Sequence, residues 1–231
     1  MRVILLLFLA TLAFSFKMEA TYKAKYGLLG TIATAKGIFE KNETSYSIKT
    51  VVTAKGLAAV LSKHLIQIYI STGKVKKGIL VPQKYISIRK KGDKIYKKVF
   101  IFDHKNKKIY KIKYFNGKLE NNETYPYYVK DDVLSLYFNL PNYINRKQKT
   151  YTFYALGGRK KDGRIDVDIL GKCEKNLTCI KGNLYNKVFV GDKGIVYLSI
   201  NPKYWVTIKG KVKNVLKIGD LKGEIDEFKI Y

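Results

Sequence analysis

The chain has 231 residues, of which 46% are hydrophobic, and it carries a formal net charge of +27. Its length and apolar content are typical of one globular domain with a core, and the absence of a Pro- or Ser-rich linker argues against two domains. The charge suggests nucleic acid as a partner, but lysine outnumbers arginine by 40 to 5. Because base and phosphate recognition uses the bidentate fork of arginine, composition argues against nucleic-acid binding.

The first segment has one positive charge and an apolar run that ends at Ala13. Small residues near the end of this run predict a secretory signal peptide over residues 1–15, cut after Ser15, or a longer one cut after Ala20. The run is shorter than the roughly 20 apolar residues that cross a bilayer. We therefore expect residues 16–231 to form a single periplasmic domain that does not span the membrane, and export is a second argument against nucleic acid.

Most of the remaining chain shows the period-two alternation that is typical of β-strands. Apolar side chains at every second position alternate with polar ones, so one face of each strand is expected to pack on a core. The alternating positions are Tyr22, Ala24 and Tyr26; Tyr46, Ile48, Thr50 and Val52; Ile66, Ile68 and Ile70; Tyr110, Ile112 and Tyr114; Ile165, Val167 and Ile169; and Val206, Ile208 and Val212. For Tyr110, Ile112 and Tyr114 we expect burial on one face.

Turn dipeptides separate these strands. Asn116-Gly117 is typical of a tight type I′ hairpin, and Gly92-Asp93, Asp162-Gly163 and Gly191-Asp192 indicate further turns. About ten strands on short connections predict an all-β fold. We expect an antiparallel meander that is curled into a barrel or a strongly bent sheet, with one or two short helices.

One segment shows helical spacing, with apolar side chains at i, i+3, i+4 and i+7 after Asp131-Asp132 and before Pro141. These positions are Val133, Leu136, Tyr137 and Leu140. The pattern predicts a capped helix of about two turns that lies across the sheet or plugs one end of a barrel. The segment Gly56–Leu65 fits either a second short helix or a strand.

The two cysteines, Cys173 and Cys179, are separated by five residues. Closely spaced cysteines in an oxidising compartment predict a disulfide, which would stabilise the fold by about 2 kcal/mol. A metal site would need two further ligands, and the only histidines, His64 and His104, lie far away in sequence. We expect no metal site and no cofactor.

Three Asn-x-Thr tripeptides have an acidic residue two positions before the asparagine, at Asn42, Asn122 and Asn176. The longer pattern resembles the acceptor of bacterial oligosaccharyltransferases that act in the periplasm. It predicts N-glycosylation of these asparagines on exposed loops. The same segments also read as three polar hairpin tips, and both interpretations can hold together.

Enzyme motifs are scarce: the chain has no Gly-x-Ser-x-Gly, no phosphate-binding loop and no metal-spaced histidine pair. Asp103 and His104 are neighbours whose side chains would point to opposite faces of a strand. His64 is a lone histidine in a mostly apolar stretch, which is typical of a structural residue. Helix capping explains Asp131 and Asp132 without catalysis. We expect no catalytic residue and no enzyme activity, and the ligand-binding residues stay unidentified.

Several short segments follow one another in a recognisable order from about Tyr22 to about Gly223. They are Thr53–Ala58, Ser71-Thr72-Gly73, Gly78–Pro82, Tyr85, Arg89, Phe102-Asp103 and Asp131–Leu136. Their order and spacing resemble the family known as domain of unknown function 3108, a set of predicted periplasmic proteins. The resemblance implies a periplasmic β-barrel-like domain without an assigned reaction. The disulfide loop and the acceptor asparagines are not expected of that family at large.

The lysine excess has two interpretations. A basic face would be attracted to lipid headgroups, lipopolysaccharide phosphates or cell-wall polymers, whereas codon bias and the protection of edge strands would also supply lysines. The leading hypothesis is a non-catalytic periplasmic binding or carrier domain for an amphipathic, anionic envelope component, such as a lipid or a part of lipopolysaccharide. Inward-facing aromatic and aliphatic side chains would line its cavity, although a filled core needs the same residues.

Two alternatives stay open. The first is a structural or interaction protein that docks on the cell wall or on an envelope protein complex through a basic face. The second is an enzyme, for which a buried polar cluster around His104 or His64 would be the sign.

Overall fold

The computed structural model describes residues 16–145, 147–185, 193–216 and 219–231. The signal peptide expected over residues 1–15 and the turn expected at Gly191-Asp192 lie outside the described residues. Within them, the chain forms one β-sheet of fifteen strands and two α-helices. The all-β class is therefore confirmed, with more strands than the sequence pattern predicts.

The elements follow one another on short connections. The strands are β1 Phe16–Tyr26, β2 Thr31–Lys41, β3 Ser45–Ala54, β4 Ile66–Lys76, β5 Ile79–Lys91, β6 Lys94–Asp103, β7 Lys108–Phe115, β8 Lys118–Thr124, β9 Asp131–Asp132, β10 Thr150–Leu156, β11 Arg164–Lys172, β12 Thr178–Tyr185, β13 Lys193–Asn201, β14 Val206–Leu216 and β15 Gly219–Ile230. The helices are α1 Gly56–Leu61 and α2 Val133–Tyr143, and 3-10 turns span Gly27–Leu29 and Glu174–Asn176. The ambiguous segment Gly56–Leu65 is thus helical in its first part.

The strand order is β8-β7-β6-β5-β4-β3-β2-β1-β15-β14-β13-β12-β11-β10-β9. All of these neighbours are antiparallel except β9 and β10, which are parallel. The prediction of a closed barrel is wrong, because β8 forms one edge of the sheet and β9 forms the other. The strand β9 has only two residues before the chain enters α2, so it offers too little backbone to pair with β8 and close the sheet.

The open sheet is nevertheless curled. Tyr85 of β5 and Phe100 of β6 share a core cluster with Leu156 at the end of β10, so strands from the two halves of the sheet meet. The helix α2 lies on the concave side and fills part of it. Leu136 and Leu140 of α2 pack against β11, β12 and β13. On its other flank, α2 packs against a cluster of β1, β2, β3 and β5.

Helix α2 is longer than predicted. It has eleven residues and contains Pro141, which the sequence pattern places after its end. A proline inside a helix removes the hydrogen bond to the carbonyl four residues earlier, here that of Tyr137. The indole Nε1–H of Trp205 donates to this carbonyl at 2.7 Å. A donor in the connection between β13 and β14 thus replaces the missing helical hydrogen bond, and the helix continues through the proline to Tyr143.

The prediction for β7 is wrong. Tyr110 keeps 37% of its surface exposed, whereas Ile109 is fully buried in the cluster with Phe100 and Phe102. Ile112 and Tyr114 share the outer face with Tyr110 and are half-buried. The concave face of β7 therefore starts with Ile109 and continues with two lysines. Because lysines are expected on the solvent side of a strand, the alternation in the sequence predicts the wrong face of β7 as the buried one.

Other sequence expectations agree with the structure. Tyr46, Ile48, Ile165 and Val167 are buried, and Asn116-Gly117 forms the turn between β7 and β8. In the part of the chain that the structure describes, no helix combines the length and apolar character needed to cross a membrane.

Candidate functional site

The beginning of α2 is held by a buried carboxylate. Asp132 is the N-cap, and its Oδ1 accepts hydrogen bonds from the backbone N–H groups of Leu134 at 2.9 Å and Ser135 at 3.1 Å. The Ser135 hydroxyl accepts from the Asp132 N–H, which completes a capping box. Ser71 of β4 donates to Asp132 Oδ2 at 2.5 Å. Burial raises the pKa of Asp132 to about 6, although its hydrogen bonds act in the opposite direction.

The middle of α2 is held by a second buried group. Asn139 accepts from the backbone N–H of Leu80 and donates to its carbonyl, both at 2.9 Å. Its amide also donates to Asp131 at 2.8 Å, and the Tyr143 hydroxyl donates to the other oxygen of Asp131 at 3.1 Å. Burial raises the pKa of Asp131. This network fixes α2 at the end of the sheet where β5 begins.

The buried network is suited to anchoring the helix and not to nucleophilic catalysis. Ser71 and Ser135, whose hydroxyls lie beside the carboxylates of β9, are fully buried and out of reach of a substrate. His104 lies outside the network: its ring contacts the Tyr128 hydroxyl at 2.8 Å and the Pro82 carbonyl oxygen at 2.5 Å. His64 is exposed in the turn after α1. Among the described residues, no group of His, Cys, Asp and Glu could hold a metal ion.

A cavity of about 660 Å³ lies on the concave side of the sheet, between its two halves and α2. This volume is within the range of about 300–1,000 Å³ that is usual for small-molecule sites. Its wall is mainly apolar and includes Leu136, Leu140, Leu156, Ile165, Val167 and Ile180. We refer to this space as cavity 1.

Cavity 1 has a cationic mouth, formed by the wall residues Lys98 and Lys160. Lys98 lies in the middle of β6, and Lys160 lies in the loop between β10 and β11. Both side chains are exposed. Within the described residues, neither ammonium group has a carboxylate at salt-bridge distance. The mouth therefore carries positive charge that no carboxylate of the described residues neutralises through a salt bridge.

The charge around Lys98 is unfavourable without an anion. Lys98 faces Lys113 directly across β6 and β7, and like charges in such a pair destabilise a sheet. Glu123 binds Lys111 at 2.6 Å and Lys113 at 3.5 Å, so its charge is shared between them. Although Lys98 is exposed, surrounding protein atoms lower its pKa, and the neighbouring lysines lower it further. An anion at the mouth would relieve this repulsion.

A second cavity of about 360 Å³, here cavity 2, lies over the middle of the sheet. None of the described residues that line it carries a charge. Its floor is built from small residues on β1, β2, β14 and β15: Ala20, Ala24, Ala35, Gly37, Gly210 and Gly223. Leu134 and Tyr137 of α2 line both cavities, so the two spaces are neighbours separated by these side chains.

The predicted disulfide is present: the sulfur atoms of Cys173 and Cys179 are 2.05 Å apart. It closes the connection between β11 and β12 and lies away from both cavities. A disulfide is compatible with an extracellular or periplasmic location.

The three acceptor asparagines occupy different settings. Asn42 caps the turn between β2 and β3, where its Oδ1 accepts from the backbone N–H of Ser45 at 2.7 Å. Asn176 is exposed in the 3-10 turn inside the disulfide loop. Asn122 is exposed, but it lies within the edge strand β8 and not at a hairpin tip. Glycosylation of all three stays a prediction.

Sequence reasoning missed the residues that shape the cavities. Lys98 and Lys160 belong to ordinary lysine-rich stretches, and Trp205 and Gly37 carry no motif. The feature that distinguishes Lys98 is that it lies directly opposite Lys113 in the adjacent strand. This pairing can be recognised only when the strand register is known.

Comparison with known proteins found no matching family model and no matching curated protein. The resemblance to domain of unknown function 3108 gains no support from this and stays a prediction.

Proposed function

We propose that this protein is a non-catalytic binding or carrier protein for an amphipathic, anionic component of the cell envelope, such as a lipid or a part of lipopolysaccharide. One observation carries the proposal: cavity 1 combines an apolar wall with lysines at its mouth that have no salt-bridge partner in the described part of the chain. A ligand with an apolar body and an anionic head matches this distribution. The periplasm is the proposed location, based on the apolar segment over residues 1–15 and supported by the disulfide.

The buried network supports binding over catalysis. Its carboxylates and amide hydrogen-bond with α2 and the neighbouring strands, and the fully buried Ser71 offers no reactive group to cavity 1. The side chains at the mouth can hold a charge, whereas the apolar wall supplies burial of about 25 cal/mol per Å² of contacted surface. These are the properties of a site that holds a molecule without changing it.

The first test is native mass spectrometry of the protein purified without denaturation from its own host. Additional mass that disappears on organic extraction is the expected result. Titration with a fluorescent fatty acid provides the second test, using the variant Lys98→Glu and the control Lys97→Glu. The control changes the charge by the same amount on the same strand. Lys97, however, lies outside cavity 1 and contacts Tyr114 on the outer face.

We expect Lys98→Glu to weaken binding about tenfold, or about 1.4 kcal/mol, and Lys97→Glu to change it much less. Equal effects of the two variants would mean that only the net charge of the protein matters. Absence of binding by the wild-type protein to any envelope lipid would refute the proposal.

A second candidate function, docking on an envelope protein complex, is favoured by an exposed apolar tip. The tip comprises the first 3-10 turn and α1, which are adjacent because the Lys55 N–H donates to the Ile32 carbonyl at 2.8 Å. Five aliphatic side chains keep 58–107% of their surface exposed there: Leu28, Leu29, Leu57, Val60 and Leu61. Clustered exposed apolar residues mark interaction sites in many proteins.

Crosslinking in cells tests this candidate. The double variant Leu28→Ser/Leu29→Ser should lose a dominant protein partner that the wild type captures. The control Leu119→Ser, a comparably exposed leucine on β8, should retain it. Equal capture by both variants would exclude the tip as the docking site.

A further inference from the structure

The two cavities together point to a more specific ligand. We infer that they form one two-compartment site for an anionic lipid with two acyl chains, with the head at Lys98 and Lys160, one chain in cavity 1 and the other in cavity 2. This inference rests on the proposed function and identifies its ligand class.

The two cavities differ in the charge of their linings. Cavity 1 has lysines at its mouth, whereas every described residue that lines cavity 2 is uncharged. A separate anionic ligand in cavity 2 would leave its charge without a partner, which is unfavourable in an apolar environment. Cavity 2 therefore suits an apolar branch whose charged head lies elsewhere.

Small residues that face one another across adjacent strands form the floor of cavity 2. Gly37 lies opposite Ala20 across β1 and β2, and Gly210 lies opposite Gly223 across β14 and β15. A β-carbon added to Gly37 would approach no atom closer than 3.9 Å, so larger residues would fit there and fill the space. Protein interiors are normally close-packed. Small residues on four adjacent strands keep this volume open for a guest.

The two cavities also lie next to each other. Leu134 and Tyr137 line both, and the Tyr137 hydroxyl contacts Thr207 Oγ1 at 2.8 Å, which keeps its ring between them. A ligand branched at its head can place a chain on each side of these two side chains. A single chain would occupy one compartment and leave the other without a guest.

The chain contains one tryptophan, Trp205, and it lines cavity 2. Its fluorescence is therefore sensitive to a quencher in that compartment. Because Trp205 also packs against the core cluster that includes Leu136 and Leu140, which line cavity 1, the loss of quenching in a variant with a filled cavity 2 assigns the quenching to cavity 2. The probes are phosphatidylglycerol with a nitroxide on one acyl chain, presented in small vesicles, and nitroxide-labelled stearic acid. The nitroxide quenches an indole only at close range, so the two probes distinguish a two-chain from a one-chain ligand.

Two glycine substitutions provide matched variants. Gly37→Phe fills cavity 2, and Gly182→Phe fills cavity 1, where an added β-carbon meets no atom within 4 Å. Should Gly37→Phe fail to give the wild-type circular dichroism spectrum, Ala35→Leu fills the same cavity. Each variant is titrated with both probes.

We expect phosphatidylglycerol to quench Trp205 and stearic acid to bind with much less quenching. Gly37→Phe should abolish the quenching and weaken phosphatidylglycerol binding about tenfold without changing stearic acid binding. Gly182→Phe should weaken both. The inference is overturned if Gly37→Phe leaves phosphatidylglycerol binding unchanged or if stearic acid quenches Trp205 equally. In either case the proposed function stands. Binding of neither probe would overturn the inference, whereas the proposed function falls only if the protein binds no envelope lipid.

Discussion

The buried N-cap Asp132 should make the domain less stable as the pH rises from about 4 to about 7. Its side chain is fully buried, and burial raises its pKa from the ordinary 3.8 to about 6. The folded state therefore binds the carboxyl proton more tightly than the unfolded state does. The resulting stabilisation is complete below the unfolded pKa and is lost as the pH rises through the folded pKa.

The magnitude follows from the difference between the two pKa values. A difference of about two units corresponds to about 3 kcal/mol of unfolding free energy, at 1.4 kcal/mol per unit. Other carboxyl groups titrate over the same range: burial raises the pKa of Asp131, whereas hydrogen bonds to Lys36 and Lys111 lower those of Glu19 and Glu123. The effect of Asp132 must therefore be isolated by comparison with a variant.

Asp132→Asn provides that comparison. Its amide oxygen can still accept from the N–H groups at the start of α2, but the side chain does not titrate. Urea unfolding of both proteins should be followed at pH 4, 5, 6 and 7. The stability of the wild type minus that of the variant should fall by between about 2 and 3 kcal/mol over this range, because at pH 4 the unfolded state is already partly ionised. A difference that stays constant within about 1 kcal/mol, or rises with pH, would refute the reasoning.

Three further predictions concern packing and buried hydrogen bonds, and all are checked by urea unfolding. Gly73→Ala should cost about 3 kcal/mol or more, because its β-carbon would lie 2.1 Å from a backbone oxygen of β5, whereas Gly182→Ala, with nothing within 4 Å, should cost almost nothing. Asn139→Ala should cost about 3 kcal/mol, because it leaves a buried N–H and a buried carbonyl unpaired, and a loss below about 1 kcal/mol would contradict this. Trp205→Phe should lower the free energy of unfolding by about 1–3 kcal/mol. The loss should be smaller in a Pro141→Ala background, where the restored amide of residue 141 can donate to the Tyr137 carbonyl. Equal losses in both backgrounds would show that the indole does not replace the missing helical hydrogen bond.

The strands and the main helix could be predicted because local polarity determines them. The alternation at Tyr46 and Ile48 has a buried inner face and a polar outer face, and the structure follows it. The N-cap at Asp132 also has a local signature. The end of α2 could not be predicted, because Trp205, which replaces the bond missing at Pro141, lies far away in the sequence.

The failure at β7 has a different cause. Alternation identifies two faces of a strand but does not say which is inner when both carry apolar residues. In β7, Ile109 and Tyr110 start opposite faces, and the inner face continues with Lys111 and Lys113. Lysines are expected on the solvent side of a strand. Where the concave surface is itself charged, this expectation exchanges the inner and outer faces of the strand.

The same ambiguity applies to the lysine excess, which sequence analysis could explain by a functional basic face or by the protection of edge strands. The neighbours Lys97 and Lys98 of β6, a strand with partners on both sides, show that lysines of one strand differ in their setting. Lys97 contacts an outer-face tyrosine, whereas Lys98 lines cavity 1 and faces another lysine without an acidic partner among the described residues. Protection of an edge requires only outward lysines. It does not explain an inward one that raises the electrostatic cost of folding, and this is why Lys98 is the lysine whose replacement separates the two explanations.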